Sequence, residues 1–116
     1  MGEGTIYTEK VFDAVTIAAS GSSTTDAIDL GAKRPGGKYS IQIVMTGSGT
    51  AKLEWLGSND GSTFSVPVTL SEVFTGFTAG NAIYTYAPIL TRYIKLKATE
   101  TGTSDSVTIT ATLMVQ

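Results

Sequence analysis

Residues 58–64, SNDGSTF, place a carboxylate, an amide and several hydroxyl groups around one glycine. Calcium takes oxygen ligands of these types, but it needs about six to eight of them, and Asp60 is the segment's single carboxylate. Asn59, Asp60 and Gly61 also favour the left-handed backbone that tight turns require. We therefore predict a turn between two strands rather than a ligand-binding loop.

Catalytic chemistry has few candidates in this sequence. The chain contains no histidine and no cysteine, which removes the common general base near neutral pH, thiol nucleophiles and zinc sites of nitrogen and sulfur. Asp26 and Asp29 flank Ile28 in a short predicted strand, so their carboxylates do not face each other as an acid–base pair must. The serines lack a histidine partner, and TGSGT at 46–50 does not precede a helix as a phosphate-binding loop does. We predict no catalytic residue, no metal ligand and no cofactor, and hence no enzymatic activity.

The distribution of charge argues against nucleic acid and membranes as partners. The net charge is −2 and the eight basic residues are scattered, whereas nucleic-acid binding needs a concentrated basic face. The N-terminal sequence MGEGTIYTEK has no apolar run of signal-peptide type, and no segment approaches the roughly 20 apolar residues of a membrane helix. The expected protein is soluble and made in a cytoplasm.

The elements that must position these residues are strands. Threonine, serine, glycine and β-branched residues dominate the composition, and apolar residues alternate with polar ones over long stretches. The clearest alternation covers residues 38–47, 51–57, 63–70, 92–99 and 106–115, and further strands are predicted at 11–20, 24–30 and 81–89. This pattern predicts an all-β, single-domain antiparallel β-sandwich of about eight strands, with a jelly-roll favoured over an immunoglobulin-like topology. We assign residues 1–10 to an N-terminal arm and residues 11–116 to the sandwich.

Several exposed or aromatic residues are candidates for contact with a partner. The polar arm, with Thr5, Ile6 and Tyr7, is too hydrophilic to hold itself in a core, so we expect it to lie on a neighbouring subunit. Phe74 and Phe77, in the predicted irregular segment 71–80, either cap the core or make exposed contacts. Two tyrosines, Tyr84 and Tyr86, lie on the strand face opposite Ile83. Packing within the structure is favoured for them, and exposed tyrosines would alternatively suit an interface or a sugar ring.

Lys95 and Lys97, with Tyr93, form the polar face of another predicted strand. This face is interpreted as a solubilising stripe or as protection of a sheet edge. An electrostatic contact with an acidic partner is the alternative.

Part of the sequence resembles the discoidin-like, galactose-binding jelly rolls. The matching residues are an S-x-D-G turn and a following aromatic (Ser58, Asp60, Gly61, Phe64), and then an RYIKL strand (Arg92, Tyr93, Ile94, Lys95, Leu96). The resemblance implies that the arginine and the tyrosine support the sandwich. It also implies that loops at one end bind sugar or lipid, although no binding residue transfers to this chain.

A second resemblance covers more of the chain. The stretches TTDAIDLG and GSGTAKLEWLGSNDG are similar to segments of small virion proteins of tailed bacteriophages, which are β-sandwiches rich in Thr, Gly and Ser. This resemblance implies a capsid decoration protein on the virion surface. Such proteins typically form trimers around capsid symmetry axes and brace the shell with N-terminal arms.

Two functions from different classes follow. The first is a non-enzymatic structural virion protein, a capsid decoration (cement) protein that bridges subunits of the major capsid protein or of another virion protein. Its predicted contact residues are Thr5, Ile6, Tyr7, Phe74, Phe77, Tyr84 and Tyr86. The alternative is a carbohydrate-binding or tail-fibre adhesion module in which Tyr84, Tyr86 or Trp55 stacks on a glycan.

Overall fold

A computed structural model describes residues 7–29, 39–66, 72–86 and 91–115 of the chain. In these ranges the protein is all-β, with nine strands and no helix. The strands are β1 (Tyr7–Ile17), β2 (Ser22–Thr24), β3 (Ile28–Asp29), β4 (Tyr39–Gly47), β5 (Ala51–Ser58), β6 (Glu72–Phe77), β7 (Gly80–Tyr86), β8 (Tyr93–Glu100) and β9 (Val107–Val115).

The strands form two antiparallel sheets. Sheet A has the order β1-β9-β4-β7, and sheet B has the order β2-β8-β5-β6, with β3 also paired to β8. Consecutive strands lie in different sheets except for the pairs β2–β3 and β5–β6, which both belong to sheet B. These two sheets confirm the predicted antiparallel β-sandwich.

The core lies between the sheets and is supplied by alternate residues of the long strands. In β5, β8 and β9 every second residue is buried, so the period-two pattern of the sequence corresponds directly to the inward face. The fully buried side chains include Ile41, Ile43 and Met45 of β4, Leu53 of β5, Leu96 of β8, and Ile109 and Leu113 of β9. The predicted inward faces of these four strands are thereby confirmed.

Two predictions about the middle of the chain are wrong within the described residues. Residues 63–66 make only an isolated bridge, Gly57 to Ser65, instead of a strand, while residues 67–70 of that predicted strand lie outside the described ranges. The segment predicted to be irregular contains β6. Its pairing with β5 has two register shifts, and Gly76 has a φ of 70°, so the strand lacks the regular alternation by which the others were recognised.

Strand β1 reaches into the segment assigned to the arm. Tyr7 pairs with Val115, and the pairing continues through Lys10 and Thr112, so residues 7–10 are part of sheet A. Thr5 and Ile6 lie outside the described residues. Register shifts on both sides of Phe12 turn that residue into the core, whereas the predicted inward residues Val11 and Val15 are only half-buried.

Candidate partner interface and its supporting loops

The Asp60 turn is held together by its own polar atoms. Ser58 Oγ donates to Asp60 Oδ1 at 2.8 Å, and the same oxygen accepts hydrogen bonds from the backbone N–H groups of Ser62 at 2.8 Å and Thr63 at 2.9 Å. These bonds, led by the one from Thr63, lower the pKa of Asp60 to about 2. Gly61 supplies the left-handed backbone with a φ of 79°. The predicted turn is confirmed, and its carboxylate is occupied by the turn itself.

Arg92 ties this turn to the sandwich. Its backbone N–H donates to Asn59 Oδ1 at 3.1 Å, and its Nε lies 3.3 Å from Asp29 Oδ1. The hydrogen bond to Asp29 raises the pKa of Arg92 further above its ordinary value. Asp29 is therefore directed towards an arginine, while Asp26 is exposed, and the two carboxylates form no acid–base pair.

Glu100 has a structural role, and the sequence analysis did not identify this residue. Its side chain is 1% exposed, and its carboxylate accepts backbone N–H groups from three loops: Ser20 at 3.0 Å, Thr50 at 2.9 Å and Gly102 at 2.9 Å. These bonds, that from Thr50 first, hold the pKa of Glu100 below its ordinary value against the opposing effect of burial. A signal was present in the sequence, because Glu100 follows Ile94, Leu96 and Ala98 at the same inward spacing.

Three of the predicted contact residues form one aromatic cluster between the edges of the two sheets. The ring of Phe74 lies 5.2 Å from the ring of Phe77 and 5.2 Å from that of Tyr84, measured between centroids. Phe74 is 7% exposed, and Phe77 and Tyr84 are half-buried against the core. Of the two alternatives for Phe74 and Phe77, a cap on the core is the one observed.

Strand β7 packs Tyr84 against the core, which is the alternative favoured for this residue from the sequence. Tyr84 faces inward, and Ile83 is 65% exposed on the outer face. Tyr86 and Tyr7 lie in β7 and β1, but their side chains are outside the described part of the structure. A partner role for the seven predicted contact residues stays a prediction.

On three of the four strands of sheet A, namely β4, β7 and β9, the described outer face carries no charged residue. We call this surface the uncharged face. Val44 is 41% exposed on it and Ile83 65%. The remaining members are polar residues or methionine: Gln42, Thr46, Asn81, Thr85, Thr108, Thr110, Thr112 and Met114. Cross-strand pairing places Val44 beside Asn81 and Thr110, so the apolar groups lie among amides and hydroxyls.

The outer face of sheet B is different, because it carries the charges. Lys52 Nζ lies 3.9 Å from Glu54 Oε2 on β5. Lys95 Nζ lies 4.3 Å from the centre of the Phe64 ring. Strand β8, which carries Lys95 and Lys97, is flanked by β5 on one side and by β2 and β3 on the other. The interpretation of its lysines as edge protection is therefore wrong, since β8 is an interior strand.

Other kinds of site have no support in the described ranges. No group of three or more acidic, histidine or cysteine side chains is placed there to hold a metal ion. None of these ranges forms a helix long and apolar enough to cross a membrane. Trp55 is buried, and Tyr84 is stacked against Phe74, so neither presents an open ring for a sugar.

Comparison with known proteins identifies the fold. No protein-family model matches the sequence, and no curated protein matches it. Among solved structures, a chain of infectious bursal disease virus, Gx strain, is similar over 96% of this chain, with a TM-score of 0.57 and 19% identity. The Gt strain of that virus gives a TM-score of 0.60 at 14% identity, and its VP2 subviral particle gives 0.57 at 14%.

This chain spans about a third of the length of those viral proteins, with 31% of the Gx and Gt chains and 32% of the VP2 chain covered. At this level of identity the similarity shows the fold alone. The chain has the β-sandwich fold that is also found as one part of larger viral chains.

Proposed function

We propose that this protein is a non-enzymatic structural component of a virion, of the capsid decoration (cement) type found on tailed bacteriophages. The observation that carries the proposal is the uncharged face, a sheet surface that exposes Val44 and Ile83 and has no charge to desolvate. Two similarities support it: the fold is shared with chains of infectious bursal disease virus particles, and the sequence resembles phage virion proteins.

The proposed mechanism is buried contact area. Strands β4 and β9 are nine residues long, so three strands give a face on the order of 400 Å² at about 4.8 Å between strands and about 3.4 Å per residue. A stable interface buries roughly 800 Å² per partner, so one such face is too small by itself. The N-terminal arm, with Thr5 and Ile6, and Tyr7 at the start of β1 are proposed to add contact on a neighbouring subunit.

The partner is proposed to be the major capsid protein or another virion protein. The chain would be made in the host cytoplasm and would bind the outer surface of the capsid. We propose a homo-oligomer in that setting, and the resemblance to decoration proteins favours a trimer. No second function is proposed, because Trp55 is buried and Tyr84 is stacked against Phe74, so no specific observation favours a glycan site at these residues.

The first test is the stoichiometry of the chain in purified particles, measured by quantitative mass spectrometry against the major shell protein. A copy number comparable to that of the shell protein is expected for a decoration protein. A few copies per particle would instead place the chain in the tail, and absence from particles would overturn the proposal.

The second test addresses the surface. Val44→Lys places a charge in the uncharged face, and Lys97→Gln changes the charged outer face of sheet B by one unit as a matched control. We expect Val44→Lys to weaken binding to undecorated particles at least tenfold, because the new charge must be desolvated, and Lys97→Gln to bind as the wild type does. Wild-type binding by Val44→Lys would contradict the proposed docking face.

A further inference from the structure

The four edges of the two sheets are not equally protected against pairing with another strand. Edge strand β1 has two register shifts, a left-handed residue at Ala14 and the charged side chains of Lys10 and Asp13. On sheet B, β6 has two register shifts and a left-handed Gly76, and the opposite edge consists of β2 and β3, with three and two residues. Bulges, charges and short strands are the devices by which proteins keep sheet edges from pairing.

Strand β7 has a positive φ only at its first residue, Gly80 (141°), and carries no register shift and no charge. It is seven residues long, GNAIYTY, without a charge or a proline. Its pairing with β4 is continuous from Tyr86 opposite Tyr39 to Gly80 opposite Met45, with no register shift. No described strand pairs with its other edge, and Ile83 at its centre is 65% exposed. Such an edge is ready to accept another strand through backbone hydrogen bonds.

We infer that the β7 edge pairs with β7 of a second copy of this chain, antiparallel about a two-fold axis at Ile83. A two-fold contact requires a strand that complements itself, and the sequence of β7 does so. When all seven residues pair, Gly80 lies opposite Tyr86 in register and Ala82 lies opposite Tyr84, so at the second pair a small residue faces a large one on the inward side.

The outward side of the same pairing is also complementary. Asn81 lies opposite Thr85, which joins an amide to a hydroxyl, and Ile83 lies opposite Ile83, which removes the most exposed aliphatic side chain of the described residues from water. No charged group meets another anywhere along the strand. This absence of charge favours a second copy over a strongly charged partner.

The pairing would join two four-stranded sheets into one sheet of eight strands. The uncharged faces of the two copies would then be continuous, and their combined area would reach about 800 Å², the usual area per partner of a stable interface. The inference concerns the isolated protein, whereas the trimer proposed above concerns the chain bound to the particle, so the inference stands whether or not the virion role is correct.

The experiment is sedimentation of the purified full chain over a range of concentrations. We expect the wild type to form a dimer, and Ile83→Lys to weaken the dimer at least tenfold, because two lysines would face each other at the two-fold axis. Val44→Lys, on the same face but on an interior strand, is the control and should dimerise as the wild type does. Since Ile83 is exposed, both variants should keep the wild-type urea midpoint.

A mixture of Ile83→Lys and Ile83→Glu provides a readout that misfolding would not give. Opposite charges would meet at residue 83, so the mixture should form a heterodimer although neither variant dimerises alone. A monomeric wild type, a wild-type trimer, or a mixture that stays monomeric would overturn the inference. Sedimentation tests the dimer, and the copy number in purified particles tests the virion role, so the two proposals can fail separately.

Discussion

Glu100 shows how a charged residue is accommodated inside this sandwich. A buried carboxylate is costly unless hydrogen bonds replace its water, and here three backbone N–H groups do so. The donors come from the connections β1–β2, β4–β5 and β8–β9, so one side chain fixes three loops at the same end of the molecule. The negative charge is thus part of the fold rather than of a reactive site.

Glu100→Gln should therefore destabilise the protein clearly. An amide group would direct two N–H donors into a site lined with donors, and the charge that strengthens the three hydrogen bonds would be lost. We expect the thermal midpoint to fall by roughly 5–10 °C at pH 7, as measured by circular dichroism. Asp105→Asn, an exposed change of the same type in the β8–β9 connection, is the control and should shift the midpoint by less than about 2 °C. Equal midpoints for the two variants would contradict the role of Glu100.

The contribution of Asp60 to the stability of the protein at acid pH can be tested by changing this one residue. Its pKa is lowered from 3.8 to about 2 in the folded protein, so the folded state holds this carboxylate ionised where the unfolded chain has already bound a proton. The stabilisation is present in full above about pH 4 and is lost as the pH falls towards 2. Between pH 5 and pH 2.5 the free energy of unfolding should consequently fall less for Asp60→Asn than for the wild type, as measured by urea unfolding.

A direct measurement of the same residue is the NMR titration of the Asp60 carboxyl carbon. A midpoint near 2 is expected. A midpoint near 3.8 would show that the hydrogen bonds from Ser62 and Thr63 do not form in solution.

The sequence predicted some of these residue roles and missed others. The turn at Asp60 could be predicted, because Asn, Asp and Gly act through their own local backbone preferences. Glu100 could not be assigned its role, since the three donors come from loops as far as 80 positions away in the sequence. Its inward position was visible from the alternation, but its partners were not.

At the scale of elements, regular strands were predictable and irregular ones were not. Strands β8 and β9 alternate throughout, and β4 and β5 alternate over Ile41–Met45 and Ala51–Trp55, so the inward face follows from the sequence. Bulges shift the side chains of β1 and β6 from one face to the other, and alternation then misleads. Strand β7 was predicted, but which of its faces is buried could not be predicted, because Ile83 and Tyr84 are both suited to a core.

The aromatic cluster joins β6 of sheet B to β7 of sheet A, and Phe74 is its centre. We expect Phe74→Ala to reduce the free energy of unfolding by about 3 kcal/mol, since a buried ring is removed from between two sheet edges. Phe64→Ala is the control, because Phe64 is only half-buried beneath Lys95 on the outer face of sheet B, and it should cost less than about 1 kcal/mol. Urea denaturation measures both, and a smaller loss for Phe74→Ala than for Phe64→Ala would contradict this role of the cluster.

The whole molecule has two chemically different outer faces, and the composition alone does not reveal them. A net charge of −2 with scattered basic residues describes an ordinary soluble domain. Strand order places Lys52, Lys95 and Lys97 on the outer face of sheet B. It leaves threonines and aliphatic groups on the outer face of the interior strands of sheet A. A function by surface contact could be proposed from the sequence, but the surface proposed for it could be located only from the long-range strand pairing.

The pairing of Tyr7 with Val115 has a consequence for how the domain can be connected to other chains. Paired residues in antiparallel strands have Cα atoms about 5 Å apart, so the chain enters and leaves the sandwich at neighbouring points. A short Gly-Ser linker in place of residues 1–6 should therefore join residue 116 to Tyr7 without strain.

Such a circular permutant, opened between Thr103 and Ser104 in the exposed β8–β9 connection, should fold with a thermal midpoint within roughly 10 °C of the wild type. Opening the chain between Gly61 and Ser62 would instead separate Asp60 from the N–H groups that it holds, and this permutant should be the less stable of the two. Thermal unfolding followed by circular dichroism measures which of the two permutants is less stable. Because the two ends of the sandwich lie close together, the domain can also be inserted into a single surface loop of a larger protein. The larger protein would then carry the sandwich as a separate outer module, and the fold of the larger protein would not change.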